Sequence, residues 1–251
     1  MFRSRQAGRV VVVLLICFLA VTVQAKSLEQ NDVGRNIESG ILLDRLSLKH
    51  QQTWQAIKQI IYSKDADGKL LHPTLRSLFE QLQTSKHSIY MEFSILRSGC
   101  RSRAGTFSIE RLDPERARHV AVIRLYLRNI EHAVTHGRPK LSGNFTPLDG
   151  LGKLDRYAEV LAHEMAHAID ILFNQERARL VFEMLRRLDL VKEELLHLKS
   201  QPIQPEMKQT LRECDDLLNE LEKRARIVDA IVWRELIESQ GRRKGYKASA
   251  D

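Results

Sequence analysis

The run Leu161-Ala162-His163-Glu164-Met165-Ala166-His167-Ala168-Ile169 constrains this chain more than any other stretch. No Gly or Pro interrupts it, and every position but three is apolar. A helix that is apolar around its whole circumference has to be buried. His163, Glu164 and His167 then sit in an interior where polar groups need partners. His163 and His167 stand four apart, one turn along a common face, so both imidazoles can aim at one point. Glu164 directly follows the first of them and points beside that target.

This is the pattern H-E-x-x-H, and its residue types suit zinc. Imidazole nitrogen ligates zinc at ~2.0–2.1 Å. A carboxylate beside the ion, rather than on it, suits a general base for a metal-activated water. The structural alternative is a core helix whose histidines are satisfied by carboxylates such as Asp170. A catalytic zinc wants a third protein ligand and one open position. The metzincin extension would put Gly and His where this chain has Asp170 and Phe173, so the third ligand must come from elsewhere. The last helical stretch is the best source. Glu222-Lys223-Arg224-Ala225 reads E-x-x-A, and Glu222, Ala225 and Asp229 share a helical face. A small residue at Ala225 would allow close approach to the motif helix, and Asp229 could accept a hydrogen bond from a ligand imidazole. Glu220 points about 160° away from that face at 3.6 residues per turn. Glu183 and Glu213 are weaker candidates, and the ordinary reading of Glu222 is an exposed carboxylate paired with Arg226.

Sparse punctuation, 12 Gly and 6 Pro in 251 residues, favours long helices over a many-stranded fold. Helical spacing runs from Ile41 to Tyr62, as one or two helices, and again from Pro73 to about Gln83. Ile89 to Ile95 alternates like a strand; Thr106–Leu112 and His119–Tyr126 read as two more, and Ile130–Val134 begins a short helix. The motif helix spans about Leu154 to Phe173. Two long amphipathic stretches, Gln175–Lys199 and Glu206–Gln240, suggest an antiparallel hairpin with a seam of Leu211, Cys214, Leu218, Leu221 and Ala225. Trp54 and Trp233 are expected in the core, His132 and His136 on the surface. The expected fold is α+β and helix-rich: helices over 41–84, a small antiparallel sheet over 88–126, the motif helix over 154–173 and the hairpin over 175–240, in one domain from 26 to 251.

The first 25 residues read as a secretory signal peptide: Arg3, Arg5 and Arg9, an apolar run Val10–Val23, then Val23-Gln24-Ala25 as a cleavage site before Lys26. An uncleaved signal anchoring the chain to the membrane is the alternative. Export implies a periplasmic or extracellular protein. It leaves Cys100 and Cys214, which could form one disulfide or remain two buried thiols. Removing three arginines lowers the formal charge from +8 to +5. Outside the cytoplasm that charge suits weak association with an anionic membrane or cell wall rather than nucleic acid.

With H-E-x-x-H on one helix and E-x-x-A on a later one, the chain resembles the gluzincin zinc metallopeptidases over roughly Ile89 to Leu236. The resemblance implies Zn2+ held by His163, His167 and Glu222, with Glu164 as catalytic base, Asp229 and Asp170 behind the ligands, and a protein or peptide substrate. It also implies a β-hairpin before the motif helix whose edge strand pairs with the extended substrate, the place taken by Thr106–Leu112 and His119–Tyr126. One departure is Arg226, where many members carry Asp directly after the Ala. An oxyanion donor could be Tyr126, His136, Tyr157 or Tyr246. The competing readings are a non-catalytic zinc-stapled protein and an interaction protein of the cell envelope built on the helical hairpin.

Overall fold

The computed structural model describes residues 39–95, 104–113, 115, 117–137, 150–197 and 204–248. The signal segment, Cys100 and the side chain of Tyr246 lie outside the described residues. In chain order the elements are β1 (Gly40–Leu42), α1 (Leu48–Ile61), α2 (Pro73–Gln83), β2 (Ser88–Ser94), β3 (Gly105–Arg111), β4 (Val120–Tyr126), α3 (Leu127–His136), α4 (Lys153–Leu172), α5 (Gln175–His197) and α6 (Pro205–Ala248). The molecule is α+β, with six helices and a four-stranded sheet among the described residues.

The sheet is mixed, not antiparallel as the hairpin pattern suggests. Its order is β1-β2-β4-β3; β1 and β4 run parallel to β2, and β3 alone is antiparallel, to β4. The connections explain this. Two helices separate β1 from β2, long enough for a crossover that restores strand direction. Between β2 and β4 the chain reverses twice, because β3 intervenes, so β4 again runs with β2. Among the described residues only the short β3–β4 link is a hairpin, and β3 ends the sheet as an edge strand.

The expected first helix also needs correction. Ile41 and Leu42 are strand residues paired with Ile89 and Tyr90, and α1 starts only at Leu48, where the Ser47 hydroxyl accepts from the His50 N–H. A run this short is decided by its neighbour in space rather than by periodicity.

One face of the sheet carries Ile89, Met91, Phe93, Ala121, Ile123, Leu125 and Ile109, all buried. The opposite face sets polar residues beside buried Val120, Val122 and Tyr126. There Arg45 donates to Glu92 and Glu110 at 2.9 Å and lies 3.8 Å over the Tyr90 ring, while the Arg124 Nε reaches Glu92 at 2.7 Å. Helix α4 packs against β3 and β4 and also against the other five helices, so it is the axis of the molecule. Tyr157, Ala158, Leu161, Ala162, Met165 and Ala168 of α4 are all in the interior, as an apolar circumference requires.

Helices α4 and α6 run antiparallel and pack on one another, and Ala225 of α6 is 1 % exposed. Side chains hold the pair at both ends. Gln240 donates to Asp155 at 2.7 Å near the start of α4. Near its end Asp170 takes ion pairs from Arg177 of α5 and Arg224 of α6, both at 2.5 Å. Glu235 of α6 also accepts the Thr74 N–H at 3.0 Å, satisfying a free donor in the first turn of α2. The α5–α6 hairpin closes on its own small cluster, Met184, Leu188 and Val191 against Met207, Leu211 and Cys214. Cys214 is a free thiol there, and burial pushes its pKa up to about 11. No helix of the described residues is long and apolar enough to cross a membrane.

Candidate metal centre

The middle of α4 faces α6 where His163 and His167 meet Glu222. The two imidazole Nε2 atoms lie 3.0 Å apart. Glu222 offers Oε1 at 3.4 Å from His167 Nε2 and Oε2 at 3.8 Å from His163 Nε2. Tetrahedral ligands at ~2.0–2.1 Å from a zinc ion stand about 3.3 Å from one another. The observed separations bracket that value, and two imidazoles with one carboxylate make a donor set that zinc accepts. The triad therefore fits the metal. All three groups are partly open to solvent, which leaves a side of the cluster accessible.

The other nitrogen of His163, Nδ1, is 2.9 Å from Asp229 Oδ2. An N–H donated there fixes the tautomer that turns the Nε2 lone pair toward the cluster. Burial by itself would depress the His163 imidazolium. Hydrogen bonds to Asp229 and Glu222, with the charges of Glu164 and Asp229, outweigh it and hold the pKa up at about 10. Burial likewise opposes ionisation of Glu222, but the two imidazoles hold its carboxyl well below the usual carboxylate range. Asp229→Asn would leave the ligands in place but weaken the acceptor behind His163. The expected loss in zinc affinity is about 10–100-fold, read by competition against a chromophoric chelator; an unchanged affinity would show that the Asp229 contact does not tune the ligand.

Glu164 is outside the triad, as its place in the helical turn dictates. It is 5 % exposed, and its carboxylate lies against the first residue of the edge strand, Gly105. Burial pushes its carboxyl up to about 7, against the pull of the His163 and His167 charges and helped by Glu222 and Asp229. A carboxylate with that pKa, beside a cluster that could hold a metal, is poised to exchange a proton near neutral pH.

Comparison with protein-family models, with curated proteins and with solved structures finds no match to this chain. The reading of the site therefore rests on its residues alone.

Other expected positions fare differently. Asp170 Oδ1 is taken by Arg177 and Arg224, so the residue locks three helices together, while its Oδ2 is buried with no hydrogen-bond partner among the described residues. Three residues beyond His167 it shares the ligand face, but two arginines reach it first. Glu220 pairs with those same arginines, Glu183 with Arg179, and Glu213 with Arg187. Arg226 approaches Glu222 only to 3.8 Å and is largely exposed. Among the oxyanion candidates, the Tyr157 hydroxyl donates to Glu131 at 2.7 Å, and His136 stacks on His132 at 4.3 Å between ring centroids. Tyr126 alternates with core-facing Leu125 and so lies on the other face of the sheet, beside Arg124. Trp54 is in the core, but Trp233 is 37 % exposed. It follows Asp229 by one turn and Glu222 by three, so it lies on the face of α6 that carries the candidate metal cluster. Sequence reasoning missed Gly105. An isolated Gly at a strand position marks a close approach, but its place at the end of a loop hid that signal.

Proposed function

We propose that this protein is an exported zinc-dependent endopeptidase that hydrolyses peptide bonds in proteins or peptides. The observation that carries the reading is the division of labour around α4. His163, His167 and Glu222 converge within 4.8 Å of one another, while Glu164, adjacent and more deeply buried, stays off the cluster. A purely structural metal site has no use for a carboxylate held in that way. Zinc would supply Lewis-acid polarisation of the scissile carbonyl and of the attacking water. Glu164 takes a proton from the water as its oxygen adds to the carbonyl carbon, and returns it to the nitrogen as the C–N bond breaks. The products are a carboxylate and an amine.

The edge strand supports a peptide substrate. The Tyr126 N–H donates to the Ala104 carbonyl at 2.8 Å, and Thr106 and Ser108 stand opposite Arg124 and Val122. In an antiparallel ladder, bonded and non-bonded pairs alternate. Ala104, Thr106 and Ser108 therefore bond to β4, and Gly105 and Phe107 turn their N–H and C=O groups to the open side. An extended peptide could add there as a further strand, its backbone delivered beside Glu164.

Export rests on the Arg-flanked apolar run of the first 25 residues, and the basic balance suits an anionic membrane or cell wall more than nucleic acid. The test is cleavage of a quenched-fluorescent unfolded protein by the mature chain. Activity lost to 1,10-phenanthroline and restored by Zn2+ is the expected result. One zinc per chain with no cleavage of a broad set of unfolded substrates would instead assign the metal to stapling α4 onto α6.

A further inference from the structure

Gly105 opens β3 without a positive φ, so the backbone conformation does not call for glycine. Glycine in a strand costs stability, because it has the most conformational freedom to lose. A reason must lie in what surrounds it. A Cβ built at this position would stand 2.6 Å from Oε1, 2.8 Å from Cγ and 3.0 Å from Cδ of Glu164. The first two are closer than real Cβ contacts come, the third is at the limit, and all three belong to the same side chain.

Resting on the peptidase reading, we propose that Gly105 is a positioning residue: the missing side chain makes the notch in which the Glu164 carboxylate is held, between the edge strand and the metal cluster. The α4 backbone that carries Glu164 has little freedom to retreat. Its neighbours on α4, Leu161, Ala162, Met165 and Ala168, are fully buried, and β3 and β4 pack directly on that helix. A methyl group at 105 therefore displaces the carboxylate rather than the backbone. The Cβ direction is toward α4, because 105, 107 and 109 alternate with 106 and 108 and Ile109 is in the core. The outward N–H and C=O groups of residue 105 are the same in alanine as in glycine. Substrate docking and proton transfer thus separate at this residue.

Two measurements on the full mature chain test this. In the first, Gly105→Ala, Glu164→Ala and the double variant are melted. Gly105→Ala is expected to lower the Tm by about 4 °C or more in the wild-type background. In the Glu164→Ala background the same change should be neutral or raise the Tm, since alanine loses less entropy in a strand. Additive shifts would overturn the contact. In the second, Gly105→Ala should keep one zinc per chain and a KM within about twofold, and lose about 100-fold in kcat, the scale of a reacting group misplaced by ~1 Å. An unchanged kcat, or a loss confined to KM, would overturn the positioning role. The melting cycle needs no substrate. A coupled cycle in a protein with no wild-type cleavage would reject the peptidase reading, and the catalytic role of Gly105 with it, while a normal enzyme with an uncoupled cycle rejects this proposal alone.

Discussion

Glu164→Gln is expected to keep one zinc per chain and to lose about 10²–10⁴-fold in kcat, the range a positioned general base contributes. The two side chains have nearly the same volume, so the notch beside Gly105 stays filled. The amide cannot accept the proton from water. Metal retention follows from the division of atoms: the cluster is made by His163, His167 and Glu222, and Glu164 is not in it. The folded protein has no reason to weaken. Burial pushes the Glu164 carboxyl up to about 7, which means the ionised form is held against its preference near neutral pH. A neutral amide removes that strain, so the Tm should be unchanged or higher. A zinc-depleted Glu164→Gln would show instead that Glu164 supports the ligands. Full activity with full zinc would take the base away from this residue. Glu164→Ala is the less informative choice, because it also empties the notch.

The motif helix was legible because its information is local. Three polar residues in an apolar helix, two of them four apart, specify direction, burial and need for a partner within nine residues of sequence. Glu222 was legible for a related reason: E-x-x-A puts a carboxylate and a small alanine on one face, and Ala225 is buried. What the sequence concealed depends on distant partners. Asp170 stands where a ligand supporter should, and only the fold brings Arg224 to it from 54 residues away. Ile41 and Leu42 fit a helix until β2 gives them a strand to join. Trp233 occupies a helical position that periodicity alone places in the core, but it is 37 % exposed on the face of α6 that carries Glu222 and Asp229. The parallel pairing of β2 and β4 follows from β3 being placed outside β4, a choice no single strand records.

Zinc binding should tighten about tenfold per pH unit between roughly pH 6.5 and 9, with one proton released per metal bound. The cause is His163. Its Nε2 must be bare to ligate, yet the bonds to Asp229 and Glu222 and the charge of Glu164 hold its pKa at about 10, so zinc competes with a proton through the whole neutral range. The sign for the metal-free protein runs the other way. A histidine whose pKa is raised on folding stabilises the native state fully below its unfolded value near ~6.5, and that contribution fades as pH rises toward 10. The metal replaces what the proton gave up, so the rise in Tm on adding zinc should grow with pH. Chelator competition at three pH values, with calorimetry in buffers of different ionisation enthalpy, reads both the slope and the proton count. Glu222→Ala sharpens the test because Glu222 does two things at once. It gives the metal an oxygen, and it holds the competing proton on His163. Removing it should cost well over about 100-fold in affinity at high pH, more than losing a group behind a ligand. The loss should be smaller at low pH, where the easier deprotonation of His163 offsets part of it. A flat pH dependence in the wild type would mean that zinc does not displace the His163 proton, and the cluster between α4 and α6 would not be its site.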